Sequence, residues 1–122
     1  MNNALGRLME KNLSEVFGQR ESARRKVAIS ELYTEDCMFF EAEEQSIGRA
    51  ALNARAESIL QQAPGFVIRA VGPAQVIHDL GRLQWRSGPP GAAPVVTGMD
   101  VAVFQQGRIR ALYTFLDDLS KD

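Results

Sequence analysis

The sequence has few of the residues from which metal and redox sites are built. It contains one cysteine, Cys37, and one histidine, His78, in 122 residues. A single cysteine excludes a disulfide within the chain and a zinc site made of several thiolates. One histidine excludes a helix that carries two zinc-binding histidines. The glycine-rich loops that bind dinucleotides or nucleoside triphosphates are also missing, so we expect neither a metal nor an organic cofactor.

An excess of charge of one sign and long hydrophobic runs are missing as well. The chain has 14 basic and 15 acidic residues, and neither half is strongly charged, which argues against nucleic-acid binding. The longest apolar runs, 37–40 and 101–104, have four residues, whereas a membrane helix needs about 20. The N-terminal residues lack the pattern of a signal peptide. We therefore expect a cytoplasmic protein that binds no membrane.

The composition that remains is typical of one globular domain spanning 1–122, with 45% hydrophobic and 24% charged residues. Apolar residues recur at helical spacing in 3–17, 22–33 and 49–63, which predicts three helices. The basic run Arg24, Arg25 and Lys26 is expected on the solvated side of the second helix. A strand at 37–41, a brief strand ending at Gly48, and four later strands follow from the alternation. The later strands are predicted at 66–78, 82–87, 94–105 and 108–116.

Helices followed by consecutive hairpins predict an α+β domain, with a curved antiparallel sheet wrapped around the N-terminal helices. A two-residue loop at Gln106 and Gly107 pairs residues whose numbers sum to 213, which places Asp100 opposite Tyr113. The face that carries both is otherwise apolar. A carboxylate on such a face is costly unless it is protonated, hydrogen-bonded or reached by water. Asp100 is therefore a candidate functional residue, and the alternative is a structural carboxyl bonded to Tyr113 or to backbone.

The opposite face of the same hairpin mixes charged and apolar side chains, as a subunit interface does. Its apolar members are expected to be Met99, Val101, Val103 and Leu112. This patch is too apolar to remain in contact with water, so we predict a homodimer.

A second carboxylate stands at the end of the first strand. Glu41 follows Cys37 and Phe39 on one side of that strand, in an apolar context. The alternative is a solvated strand end before an acidic turn. In the next hairpin a three-residue loop at 79–81 is predicted to direct Leu83 and Trp85 inward.

These patterns resemble the NTF2-like superfamily, which includes ketosteroid isomerases and SnoaL-like polyketide cyclases. The resemblance is carried by ELYTEDCMFFE (31–41), IGRAAL (47–52) and GMDVAVFQQGRIRALYTFLD (98–117), and it covers nearly the whole chain. It implies a cone-shaped α+β fold with a pocket for a small hydrophobic ligand between the sheet and the helices.

The resemblance also implies roles for individual residues. The carboxylate that ends the first strand is the proton-shuttling base of ketosteroid isomerases, and Glu41 matches it. Asp100 matches the protonated aspartate that holds the enolate oxygen in that family. A tyrosine assists this aspartate in the family, and the corresponding place in this chain falls at or near Asn12, so that donor is missing. Asn12 or Tyr113 is the candidate for a further donor. In a cone-shaped fold the core is also the pocket wall, so the predicted pocket residues are Asn12, Phe17, Tyr33, Phe39, Trp85 and Tyr113.

Two functions remain open at this point. The first is a cofactor-independent isomerase or cyclase that moves a proton on an apolar carbonyl compound, which the two carboxylates on apolar faces favour. The second is a non-catalytic module that binds a small hydrophobic ligand or serves in assembly, which the missing tyrosine favours. The sequence does not indicate the substrate.

Overall fold

Three α-helices and a π-helical segment form the helical layer in a computed structural model that describes residues 3–117. The π-helical segment continues directly from the first helix, so Asn12 lies at the junction of the two. The helices are α1 (Asn3–Lys11), α2 (Ser22–Leu32) and α3 (Arg49–Gln61), and the π-helical segment spans Asn12–Phe17.

Six strands form one curved sheet against which the helices pack. The strands are β1 (Tyr33–Phe40), β2 (Gln45–Ile47), β3 (Val67–Ile77), β4 (Leu80–Gly88), β5 (Val96–Gln105) and β6 (Arg108–Leu116). Their order across the sheet is β2-β1-β6-β5-β4-β3. The α+β fold class is confirmed. The sheet is mixed rather than wholly antiparallel, because the last strand returns beside β1 in the same direction.

The hairpin of β5 and β6 contains a one-residue irregularity that changes which side chains face each other. Gln105 pairs with Arg108 and Phe104 with Ile109, as predicted, but the register then shifts. Beyond the shift Asp100 pairs with Thr114, not with Tyr113. A bulge of this kind leaves one residue unpaired and inverts the alternation that follows.

The bulge corrects two expectations about β6. Leu112 is buried inside the protein instead of contributing to the outer face. Tyr113 is 39% exposed and stacks on Phe40, with the ring centroids 4.7 Å apart. Thr114 occupies the inward-facing position opposite Asp100, where the predicted pairing without a bulge had placed Tyr113.

The turn between β3 and β4 is tighter than predicted. Ile77 pairs with Leu80, so the turn consists of His78 and Asp79 rather than of a three-residue loop. His78 has a φ of 53°, in the left-handed region. Gly81 instead permits close packing, because a Cβ there would lie 2.6 Å from the sulfur of Met9. Leu83 and Trp85 are nevertheless buried, as expected.

The core lies between the concave face of the sheet and the helices, and it contains an unexpected cation. Arg25 is fully buried, whereas Arg24 and Lys26 are exposed as predicted. The guanidinium of Arg25 donates to the carbonyl of Gln19 at 2.7 Å, to Asn53 Oδ1 at 2.6 Å and to Glu57 Oε1 at 2.5 Å. The expectation that all three basic residues are solvated is therefore wrong for Arg25, which turns toward acceptors on α3 and on the preceding loop.

None of the helices in the described part of the chain is both long and apolar enough to cross a membrane.

Candidate functional site

A cavity of about 790 Å³ opens between the concave face of the sheet, the π-helical segment and α3. Most of its wall is apolar, and a few polar side chains interrupt it. The apolar side chains include Phe17, Phe39, Ile59, Leu60, Phe66 and Trp85. The polar ones include Arg20, Glu41, Arg55, Ser87, Asp100 and Thr114. Both carboxylates singled out in the sequence therefore border one cavity.

Asp100 is the buried acid of this cavity, with 3% of its surface exposed. Its Oδ1 accepts hydrogen bonds from Trp85 Nε1 at 3.0 Å and from Thr114 Oγ1 at 2.8 Å. Its Oδ2 accepts a longer one from Asn12 Nδ2 at 3.5 Å. Burial raises the pKa of Asp100 to about 6, while hydrogen bonds from Thr114, Trp85 and Asn12 act in the opposite direction. Asp100 therefore takes up its proton at a higher pH than an exposed aspartate does.

Three local features bring these donors to Asp100. The bulge in β6 places Thr114 directly across the strand pair. Trp85 pairs with Gly98, and a Cβ at that glycine would lie 2.6 Å from the indole ring. Glycine is thus required for the indole to lie across β5 and reach the carboxyl group. Asn12 approaches from the start of the π-helical segment, and such segments occur frequently at functional sites.

A second layer of polar groups lies behind Asp100. Tyr33 is completely buried at the start of β1, and its hydroxyl donates to Asn12 Oδ1. Burial raises the pKa of Tyr33 well above its usual value, and the charges of Asp100 and Cys37 add to this effect. The phenol is therefore protonated throughout the physiological pH range. Tyr33 and Asn12 are not among the residues that line the cavity, and they connect to it through Asp100.

Glu41 has a different electrostatic environment from Asp100. Its two carboxylate oxygens accept hydrogen bonds from Nε and Nη2 of Arg55 at 2.7 and 2.9 Å. Nη2 of Arg55 also lies 2.9 Å from a carboxylate oxygen of Glu44. The hydrogen bond to Glu41 raises the pKa of Arg55. Glu41 is thus half of an ion pair, whereas Asp100 contacts neutral donors.

The structure brings most of the predicted site residues to the cavity. Glu41, Asp100, Phe17, Phe39 and Trp85 line its wall, and Tyr113 borders it without contacting Asp100. The remaining two, Asn12 and Tyr33, form the second layer described above.

Several polar residues of the wall were not identified by the sequence analysis, among them Thr114, Arg55 and Arg20. Thr114 faces Asp100 only because of the bulge, which the sequence does not reveal. Arg55 has no feature in the sequence that distinguishes it from an ordinary charged residue on a helix. Arg20 donates to the carbonyls of Leu60, Ala63 and Phe66, which close one end of the cavity. For Arg20, the available sequence signal was that the last carbonyl groups of a helix need hydrogen-bond donors from outside the helix.

No protein-family model matches the sequence, and no curated protein does either. Several solved structures are similar to this one. A protein from Agrobacterium tumefaciens assigned as a SnoaL-like isomerase has a TM-score of 0.88 at 22% identity, covering 96% of this chain and 100% of that one. A protein from Jannaschia assigned as a SnoaL-like polyketide cyclase has a TM-score of 0.78 at 13% identity, with coverage of 97% and 88%. An NTF2-like protein from Mesorhizobium loti has a TM-score of 0.70 at 21% identity, with coverage of 95% and 93%. The chain therefore has the NTF2-like fold that its sequence resembles.

Proposed function

We propose that this protein is a cofactor-independent isomerase or cyclase, which moves a proton on an apolar carbonyl compound and uses Asp100 to carry that proton. The observation that carries the proposal is a buried carboxyl group with a pKa of about 6 in the wall of a largely apolar cavity. A proton carrier works best when its pKa lies near the working pH, because it must both accept and return the proton. The names of the similar structures, isomerase and cyclase, are consistent with this reaction type.

The reaction begins with ionised Asp100, which removes a proton from the carbon next to a carbonyl group. The electron pair moves onto the carbonyl oxygen and forms an enolate. In an isomerase, Asp100 returns the proton to another carbon of the enolate. In a cyclase, the enolate carbon forms a bond to a second carbonyl carbon of the same molecule, and the new alkoxide takes up the proton.

We assign the proton-carrying role to Asp100 rather than to Glu41, although the family resemblance suggests the reverse. The three side chains that contact Asp100 all donate to it in the observed geometry, which favours the carboxylate form needed in a base. Glu41 forms an ion pair with Arg55, whereas the groups that contact Asp100 are neutral and its burial favours the protonated form once it has taken up a proton.

Arg55 is the best candidate for a donor to the carbonyl oxygen. Its Nη1 has no hydrogen-bond partner among residues 3–117, and the residue borders the cavity. A fixed donor at the position where negative charge develops lowers the barrier to enolate formation. Because Glu41 and Glu44 already balance the charge of Arg55, the site favours a neutral ligand over an anionic one.

Proton exchange in D₂O tests this function without knowledge of the natural substrate. The protein is incubated with a panel of apolar ketones and diketones, and incorporation of deuterium beside the carbonyl group is followed by NMR. We expect at least one compound to exchange, and Asp100→Asn to slow its exchange by roughly 100-fold or more. Asp79→Asn, in an exposed turn, is the matched control and should exchange at the parental rate.

The alternative is a binding module without catalytic activity, and the charge-neutralised Glu41 favours it. Both functions predict that an apolar ligand changes the fluorescence of Trp85, which lines the cavity. Compounds that change this fluorescence but never exchange a proton would support the binding module and contradict the enzyme. A panel that leaves Trp85 unaffected would count against the cavity as a binding site.

We also propose that the chain forms a homodimer through the outer face of the sheet. Met99, Val101 and Val103 alternate along β5 with buried residues, and each of the three is partly exposed. Light scattering at micromolar concentration should give about twice the 13.5 kDa of one chain. Val101→Lys should halve that mass, whereas Val27→Lys, which changes an exposed valine of α2, should not. A parental mass near 13.5 kDa would refute the dimer.

A further inference from the structure

The side-chain amide of Asn12 is the one polar group around Asp100 that presents a donor at one end and an acceptor at the other. We propose that this amide reverses its orientation when Asp100 takes up a proton, so that Asn12 is a positioning residue that hydrogen-bonds both forms of the carboxyl group. The inference rests on the proposed role of Asp100 as the proton carrier. It adds a device that lets a buried group hold and release a proton without losing a hydrogen bond.

The observed orientation suits the ionised form of Asp100. The hydroxyl of Tyr33 donates to Asn12 Oδ1, which directs Nδ2 toward Asp100 Oδ2 at 3.5 Å. The other carboxylate oxygen, Oδ1, already accepts from Trp85 and Thr114. Every group around the carboxyl therefore acts as a donor, as a carboxylate requires.

The same orientation does not suit the protonated form. We place the proton on Oδ2, because Oδ1 accepts from two groups, one of which, Trp85 Nε1, can only donate, whereas Oδ2 has the single 3.5 Å contact from Asn12. An O–H at Oδ2 would then point at the N–H of Asn12, and two donors would face each other in a buried place. Rotating the amide by 180° presents Asn12 Oδ1 to that O–H and removes the conflict.

Tyr33 allows the rotation because a phenol hydroxyl can either donate or accept. In the reversed state, Nδ2 of Asn12 donates to the oxygen of Tyr33. The two ends of an amide have nearly the same shape, so the surrounding core keeps its packing. Tyr33 is completely buried and Asn12 is 1% exposed, which leaves no bulk water to replace either partner. An ionised aspartate at position 12 could accept from protonated Asp100 but could not donate to ionised Asp100, and leucine could do neither.

The ionisable groups that face this cluster are few in the described part of the chain. On β1 they are Tyr33 and Cys37, and burial raises the pKa of both. On α3, Arg49 donates to the carbonyl of Tyr33 and carries a fixed positive charge. The π-helical segment, β4 and β6 contribute Asn12, Trp85 and Thr114, which do not ionise. On the cavity side the wall carries Arg20 and the ion pair of Glu41 with Arg55. Asp100 is therefore the group whose titration drives the rotation.

NMR of the uniformly labelled full chain tests the inference between pH 4.5 and 8. The amide protons of Asn12 are assigned by their loss in Asn12→Leu. At pH 8 we expect their strongest contacts to be with the Trp85 indole proton and the Thr114 methyl group. Below pH 5 we expect contacts with the ring protons of Tyr33 to dominate, and the midpoint should equal that of the Asp100 carboxyl carbon.

Two variants separate a rotating amide from a fixed donor. Asp100→Asn should abolish the pH dependence of the Asn12 amide signals. Tyr33→Phe keeps the ring but removes a hydroxyl that bonds Asn12 in both orientations, so the affinity of Asp100 for its proton should change by less than about threefold while the Asn12 amide signals keep their pH dependence.

The outcomes distinguish this inference from the proposed function. If Asp100 titrates but the contacts of the Asn12 amide do not change, the rotation is refuted and the proton-carrying role of Asp100 is unaffected. If Asp100 keeps one protonation state from pH 4.5 to 8, both are refuted. A failure of the deuterium exchange alone would refute the enzyme and leave the rotation in place.

Discussion

Arg25 and Asp100 are both buried charged residues, yet their surroundings have little in common. Arg25 meets the carboxylate of Glu57 together with two neutral acceptors, and its contacts join α2 to α3 and to the loop before α2. Within residues 3–117, Asp100 meets three neutral donors and no cation, and it borders a cavity. One charge is balanced inside the protein, whereas the other is not.

This difference teaches how to separate a structural charge from a functional one. The guanidinium of Arg25 donates to two neutral acceptors and to a carboxylate, so its positive charge is compensated inside the protein. Its burial is therefore explained by the packing of the fold. A carboxyl group without a counter-charge has a raised pKa, and the cavity gives a ligand access to it. Burial alone does not distinguish the two, but charge balance and access do.

Removing the balanced charge should have the largest effect on stability. Arg25→Met fills similar space but leaves the Gln19 carbonyl and the side chains of Asn53 and Glu57 without their donor. We expect a loss of about 3 to 5 kcal/mol in the free energy of unfolding, measured by denaturant titration. Arg24→Met is the control, because the exposed pair of Arg24 with Glu21 contributes less than about 1 kcal/mol. Equal losses in the two variants would contradict the assignment of Arg25.

Removing the unbalanced charge should have an effect that depends on pH. The folded pKa of Asp100 is raised from 3.8 to about 6, so its contribution to stability is fully present below the unfolded value and is lost as pH rises through 6. Asparagine does not titrate. Asp100→Asn should therefore be more stable relative to the parent at pH 8 than at pH 4, by up to about 3 kcal/mol. Denaturant titrations at both pH values measure this difference, and the opposite sign would mean that Asp100 is a stably ionised structural group.

Displacing a donor without changing Asp100 sharpens the comparison. In Gly98→Ala the new Cβ would lie 2.6 Å from the Trp85 ring and 2.3 Å from the Phe115 carbonyl. We expect a loss of about 2 kcal/mol, a shifted indole N–H signal and a higher Asp100 pKa, because a donor to the carboxylate moves away. Gly6→Ala is the control, since its Cβ would meet only Ala74 at 3.7 Å, and it should stabilise α1 by about 0.5 to 1 kcal/mol. An unchanged indole signal in Gly98→Ala would contradict the role given to this glycine.

The smallest effect is expected from Thr114→Val, which keeps the shape of the side chain and removes its hydroxyl. The hydrogen bond to Asp100 is then lost in the ionised form, which raises the pKa of Asp100 further. We expect a cost of about 1 kcal/mol at pH 8 and a smaller one at pH 4. The carboxyl carbon of Asp100 reports the pKa directly by NMR, and a lower value would be the contradicting result.

Much of the fold follows from periodicity. Apolar spacing located the three helices, and alternation located the long strands, because these patterns reflect which face contacts the core. The irregularities were not predictable in the same way. Gly81 was the expected turn residue, but it lies in β4 where Met9 packs closely, and the turn residue His78 has the left-handed φ instead. The bulge in β6 has no sequence signal comparable to a glycine or a proline.

The candidate site was predicted in part for related reasons. Asp100 was identified because a single carboxylate on an apolar face requires an explanation. Arg25 lies in a run of charges that resembles a solvated helix face, and its partners Asn53 and Glu57 are 28 and 32 residues away. Contacts of that kind depend on how α2 packs against α3. The link from Tyr33 to Asn12 spans 21 residues and was equally invisible, although both residues were named as pocket candidates.

The bulge in β6 also determines how this chain must be aligned with others. Val103 pairs with Ala111 and Phe104 with Ile109, so Arg110 is the additional residue of the strand. Deleting it would straighten β6 while leaving Thr114 opposite Asp100. A relative with a regular hairpin therefore requires a one-residue gap at position 110. An alignment without that gap would match the wrong residue, Tyr113, to the position that faces the acid.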